Sequence, residues 1–181
     1  MGMTLEIDRR TAEERFRTVF THLGAVTSYA RRRGSKDADA LAAEVMTIAW
    51  RRLADVPRDD ALPWLYATAR NLVLAEARLS APGAGASVHE PERVAAAAEP
   101  PELEHDLAQA LRSLSPLDRE TLLLVAWEDL TPSQAAKALG INPAAFRVRL
   151  LRARRRLRAS LDRPADGRPP AALTQLDVEG T

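Results

Sequence analysis

The stretch that most constrains the fold runs from Thr131 to Leu161, TPSQAAKALGINPAAFRVRLLRARRRLRASL. Thr131, Pro132 at the first helical position and Gln134 three residues past the cap spell a capping box on a preorganised first turn. Ala135, Ala136, Ala138 and Leu139 give that helix small side chains on its packing side. Gly140 can take the left-handed conformation that ends it. Asn142 as cap and Pro143 at the next first helical position repeat the start signal. In the second helix Phe146, Leu150, Ala153, Leu157 and Leu161 recur at helical spacing, which predicts one buried stripe. Ala136 lets the helices cross closely, and Ile141 and Phe146 plug the angle between them. Two helices joined by a short turn containing Gly, the second one basic, form a helix-turn-helix with its recognition helix.

Charge decides between two uses of this motif. The segment 147–163 holds eight arginines against one acid, Asp162, while the whole chain carries a net charge of only +1. An ordinary helical hairpin with a solvated arginine face is the bland alternative. Solvated faces mix signs, however, and this one does not, which favours a nucleic-acid partner.

Length and composition set the frame. At 181 residues the chain can form one domain or two small ones. Aromatics make up 4% and runs of Val, Ile or Thr are few, so the expected fold is all-α, with helices packed through small side chains. There is no cysteine, which excludes disulfides, thiolate metal sites and cysteine nucleophiles. No apolar run reaches the roughly 18 residues of a membrane span. The opening MGMTLEIDRR resembles no secretion signal, so the expected location is the cytoplasm, without membrane insertion.

The first block, 11–80, reads as three helices. Thr11 and Glu14 suggest a capping box, and Phe16, Val19, Phe20, Leu23 and Val26 continue at helical spacing until Gly34. Arg31, Arg32 and Arg33 fall in the last turn, where they complement the helix dipole or contact DNA; the sequence leaves both readings open. Ser35 and Asp37 open a second helix with Leu41, Val45 and Ile48 on one side and Met46, Trp50 and Leu53 on another. Two apolar sides mean a central helix or one that presents a face to a partner. Pro57 should end it. A third helix, from Pro63 to about Leu79, has a core stripe of Leu65, Ala69, Leu72 and Val73. Trp64, Arg70 and Asn71 fit that stripe less well, although a Trp beside a Tyr is more often core than base-stacking platform.

Composition then shifts. The segment 81–104 is rich in Pro, Gly, Ala and Glu and reads as a flexible acidic linker. Helices resume near Leu103 with Leu107, Leu111 and Leu114. Ser115 and Pro116 start another helix whose Leu117, Leu122, Val125 and Trp127 should pack inward. This second domain, 105–163, ends with the helix-turn-helix. The tail, 164–181, has too few apolar residues for a core and is expected to be disordered.

Laid out in this order, the chain resembles the extracytoplasmic-function sigma factors of bacterial RNA polymerase, members of the sigma-70 family. The resemblance covers about Phe16 to Leu161. DADALAAEVMTIAWRRL is similar to the family's polymerase-clamp-binding helix, and PWLYATARNLVLAEARL to its promoter-melting segment. LSPLDRETLLLVAWEDLTPSQAAKALGINPAAFRVRLLRARRRL is similar to its second domain. The resemblance implies a sigma-two-type helical domain and a sigma-four-type helix-turn-helix domain joined by a linker. It implies polymerase binding through Asp37, Asp39, Leu41, Glu44 and Trp50. Minus-ten recognition and melting would fall to Trp64, Arg70 and Asn71. Ser133, Gln134, Ala144, Arg147, Val148, Leu151 and Arg152 would read the minus-thirty-five element. Core RNA polymerase, promoter DNA and an anti-sigma factor are the implied partners, with no cofactor. Ala40 and Ala43 depart from the family pattern, which has an acid and a glutamine there. Pro143 and Ala145 also depart from it, so promoter preference does not carry over.

A helix-turn-helix regulator that does not bind polymerase is the alternative, its first block serving for dimerisation or sensing. Such a regulator needs no melting segment and usually dimerises to read two half-sites. Catalysis fits poorly, because His22, His89 and His105 are scattered and no metal spacing, phosphate loop or Ser–His–Asp arrangement occurs.

Overall fold

A computed structural model of the chain describes residues 2–80 and 105–162, with side chains from Arg9 onward. The linker 81–104 and the tail 164–181 lie outside the described residues. Eight helices, and no strands, form the described part. The first half comprises α1 (Gly2–Phe20), α2 (Leu23–Arg32), α3 (Ala38–Arg51) and α4 (Ala61–Ser80). The second half comprises α5 (His105–Arg112), α6 (Pro116–Ala126), α7 (Pro132–Leu139) and α8 (Pro143–Leu161).

In the first half α2, α3 and α4 pack on one another, with α1 laid against α3. Asp37 caps α3 by accepting from the Ala40 N–H at 2.9 Å. Val26, Tyr29, Val45 and Leu65 are among the most deeply buried side chains. Two expectations change here. Thr11 does not start a helix but lies within α1, and the apolar run expected to be continuous breaks at Thr21 and His22. The Thr21 hydroxyl donates to the Thr18 carbonyl, and the His22 N–H reaches the carbonyl of Val19 only three residues back. That tightening re-aims the chain, so Val19 and Val26 are both buried while Phe20 stays exposed. The second helix also stops at Arg51, six residues before Pro57, in a turn where Arg52 pairs with Asp55.

The second half is built on α8, which α5, α6 and α7 all touch. Ser115 caps α6. Asp129 ends the α6 turn in the left-handed region (φ 52°), where its short polar side chain is tolerated. The Leu130 N–H then returns to the Leu124 carbonyl six residues back, which folds the chain against the end of α6. The expected α8 stripe holds for Phe146, Leu150 and Ala153. Leu157 is half-buried and Leu161 is exposed at the last residue of α8. The two halves dock, α4 lying along α7, and their buried residues form one continuous core.

Candidate nucleic-acid interface

Local chemistry fixes the helix-turn-helix. The Thr131 hydroxyl accepts from the Gln134 N–H, and the Gln134 side chain accepts in return from the Thr131 N–H at 3.0 Å. Gly140 takes φ 65°, and its N–H closes α7 on the carbonyls of Ala136 and Lys137. Asn142 caps α8 through the Ala144 N–H at 2.7 Å. Ala135 and Ala136 are fully buried at the crossing, and Phe146 fills the angle with no exposure. Burying a Phe side chain fully is worth roughly 1.5–3 kcal/mol, enough to hold α8 against its neighbours.

This anchoring leaves one face of α8 in solvent. Ala144, Arg147, Val148, Leu151 and Arg152 are all exposed and share it at three- and four-residue spacing. Val148 and Leu151 are about half exposed, so this face carries apolar side chains beside its two arginines. Among the described residues Arg147 and Arg152 make no ion pair, so their charge is available. Ser133 is exposed on α7, but Gln134 is half-buried and donates to Asp60 of the first half at 2.9 Å.

Not every arginine of α8 faces outward electrically. Arg149 and Arg156, seven residues apart on one side of the helix, both pair with Asp118 of α6, Arg149 at 3.4 Å. The Asp118 side chain is 2% exposed. This carboxylate ties α8 to α6 and sets the rotation that turns Arg147 and Arg152 to solvent. Sequence reasoning passed over Asp118; an acid in the first turn of α6 reads as a dipole partner until α8 is seen above it.

In the first half, Asn71 is exposed on α4, Arg70 is half-buried, and Trp64 is half-buried under the Arg52 guanidinium at 5.8 Å. On α3, Asp37, Asp39 and Glu44 are exposed, Asp37 also serving as the cap. Leu41 is buried in the core, so it supports α3 from behind and offers no contact surface. Trp50 is 43% exposed and packs edge-on against Phe16 with ring centroids 5.1 Å apart. Phe16, Phe20, Leu23, Met46 and Trp50 line an apolar groove of about 770 Å³ between α1 and α3.

Between the halves lies a charged cluster that sequence reasoning missed. The Arg33 guanidinium, 5% exposed, donates to Glu120 at 2.9 Å and to Glu128 at 2.8 Å, and Arg32 also pairs with Glu128. The Tyr29 hydroxyl donates to Glu120 at 2.8 Å. Arg33 sits over the Tyr29 ring at 4.3 Å, and Tyr29 stacks on Tyr66. Burial alone would raise the Glu120 pKa, but Arg33 and Tyr29 hold it below the usual carboxylate range. Burial, with Glu120 beside it, pushes the Tyr29 phenol well up, and burial with Glu128 does the same to Tyr66. At the rim of this interface Lys137 pairs with Asp60 at 2.9 Å.

Residues 104–157 match the family model described as sigma-70, region 4. Among solved structures the chain is similar to CnrH, seen in complex with the cytosolic domain of CnrY. The identity is 24% and the TM-score 0.53, covering 81% of this chain and 87% of that one. It is also similar to the sigma factor RpoE of Bartonella quintana, seen with the anti-sigma factor NepR. There the identity is 22% and the TM-score 0.57, covering 81% of this chain and 97% of that one. No curated protein matches the chain in sequence.

Proposed function

We infer that this chain is a sigma-70-type factor of the extracytoplasmic-function class, and that it binds core RNA polymerase and directs promoter-specific initiation. The observation that carries the reading is the exposed α8 face of Ala144, Arg147, Val148, Leu151 and Arg152. It lies inside the span that matches sigma-70 region 4. The likeness of 81% of the chain to the fold of RpoE supports it.

In this reading α8 enters the major groove of the minus-thirty-five element. Arg147 and Arg152 supply hold and register, while Ala144, Val148 and Leu151 set which base edges are accepted. Ser133 and Gln134, at the start of α7, approach the backbone. Trp64, Arg70 and Asn71 on α4 engage the minus-ten element as it opens. Asp37, Asp39, Glu44 and Trp50, with the apolar groove beside Trp50, dock on the polymerase. The protein works in the cytoplasm and adds no catalytic step of its own. An anti-sigma factor is the expected antagonist, as the complex of RpoE with the anti-sigma factor NepR suggests. Transcription by purified core polymerase and this chain, on a pool of random promoters, tests the reading. Enrichment of a two-part promoter motif is the expected result. A dimer in sedimentation with no polymerase affinity would refute it in favour of a conventional regulator.

A further inference from the structure

Glu120 and Glu128 reach from the second half into a site on the first. There Arg32 and Arg33 present two guanidinium forks, and Tyr29 supplies a hydroxyl donor and the ring that supports Arg33. Each of the four carboxylate oxygens accepts a hydrogen bond from this group. Paired anionic oxygens on a guanidinium fork are also how phosphate is held. Guanidinium groups among aromatic rings are the ordinary make-up of a site for single-stranded nucleic acid. Arg70 of α4 lies close enough to bear on the Glu120 carboxylate, so the site adjoins the segment assigned above to the opened minus-ten element.

Length makes this arrangement incompatible with a two-point promoter grip. Elements centred near minus ten and minus thirty-five are about 25 base pairs apart, or roughly 85 Å at 3.4 Å per step. Here α4 and α7 touch, and Asp60, just ahead of α4, lies 2.9 Å from Gln134. The helix α8 is only about 28 Å long at 1.5 Å per residue. The halves must separate, and the 24 residues of 81–104 can span roughly 80 Å when extended. Separation withdraws both glutamates and uncovers Arg32, Arg33 and the Tyr29 hydroxyl together.

We propose that Arg32, Arg33 and Tyr29 form a binding site for the phosphate backbone of the opened DNA strand, and that Glu120 and Glu128 occupy it in the closed chain as an internal substitute for phosphate. The proposal rests on the sigma-factor reading for its DNA ligand. Closing the chain and holding the strand are then mutually exclusive uses of the same two arginines.

The test uses the full chain, whose lack of cysteine lets Thr47→Cys and Arg155→Cys, both exposed, carry a donor and acceptor dye. Energy transfer reports closure, and anisotropy of a labelled oligo-thymidine reports strand binding. In the E120Q/E128Q variant transfer should fall and oligo-thymidine should bind more tightly. Its log–log salt slope should steepen by about 1.4, the value for two added phosphate contacts on a single strand. In the Arg32→Met/Arg33→Met variant transfer should also fall, but without tighter binding. Asp60→Ala, at the rim and outside the site, should move both readings as the glutamines do, to a smaller degree. Equal tightening in the arginine and glutamine variants would overturn the phosphate site, as would opening without tightening in E120Q/E128Q. Unchanged transfer in all three would overturn the closure. Neither readout includes polymerase, so failure to bind polymerase would sink the sigma-factor reading separately.

Discussion

Asp118→Asn is a sharp probe of how the recognition helix is held. The carboxylate is 2% exposed, but its partners are not, Arg149 being 38% and Arg156 60% exposed at the side chain. Once the acid is gone, both guanidinium groups can turn to water, so no cation is stranded in the interior. The cost should therefore follow the scale of solvent-screened pairs, up to about 1 kcal/mol each. Loss of a first-turn acid from α6 adds roughly 0.3–1 kcal/mol. Together these amount to at most about 3 kcal/mol, at or below the low end of the roughly 3–5 kcal/mol for breaking a fully buried pair. Denaturant melts of Asp118→Asn, Arg156→Gln and the double variant would measure it, with a coupling energy near 1 kcal/mol expected. DNA binding provides the second readout: freed from Asp118, Arg149 and Arg156 can reach phosphates, so the salt slope should steepen while discrimination among promoters weakens. A loss above 3 kcal/mol, or unchanged promoter discrimination, would refute the view that Asp118 sets the rotation of α8.

Four further outcomes follow from the same geometry. Gly140→Ala meets open space but must hold φ 65°, so it should cost roughly 1–2 kcal/mol of stability by backbone strain alone, measured by thermal melting. Arg152→Ala should lower upstream-element affinity by about 1–3 kcal/mol at one base position if it reads a base edge, checked by binding across single-base promoter variants. Trp50→Ala should weaken polymerase capture by about 2 kcal/mol, the scale of an aromatic anchor, with helical content by circular dichroism unchanged. Closure should depend on pH at both extremes. The lowered Glu120 pKa stabilises the closed form above its ordinary value of 4.5, and that contribution is lost as pH falls further. The raised Tyr29 and Tyr66 pKa values stabilise it below their ordinary 10.0, and that contribution is lost as pH climbs above it. Energy transfer between the two halves should thus be flat through neutrality and fall at either end.

What the sequence disclosed was whatever its neighbours in the chain decide. Thr131 with Gln134, Gly140 and Asn142 with Pro143 act within four residues of themselves, and each took its expected conformation. The α8 stripe was legible as far as Ala153 because periodicity reports a face. It overran at Leu161, the last residue of α8, because periodicity does not say where burial along a face ends. The break at Thr21 and His22 was hidden, since no Gly or Pro marks it and the apolar spacing runs straight across. Hidden too were the partners of the arginines. Arg33 and Glu120 are 87 positions apart, and Arg32 and Glu128 are 96. No local rule tells an arginine that will bind DNA from one that will meet an acid of the same chain. The reading of Arg31–Arg33 as dipole partners or DNA contacts was therefore incomplete, because two of them face an internal carboxylate.

The ionic cluster within this interface, set beside the shared apolar core, bears on how the chain opens. The apolar part of the contact, where α4 lies along α7, is exposed to water on separation, at about 25 cal/mol for each Å² uncovered. Arg33, Glu120 and Glu128 instead regain hydration when they part, so much of the lost pairing is recovered from water. The same groups resist partial opening. Removing Glu120 alone leaves Arg33 with Glu128, and withdrawing both acids without water or another anion would strand a buried guanidinium. Such a contact favours two states, fully closed or fully parted, over a range of loosened ones. In the open state the vacated arginines are best matched by something that, like the glutamates, brings paired oxygens. A DNA strand does so, and it would stabilise the open form by the very groups that hold the closed one.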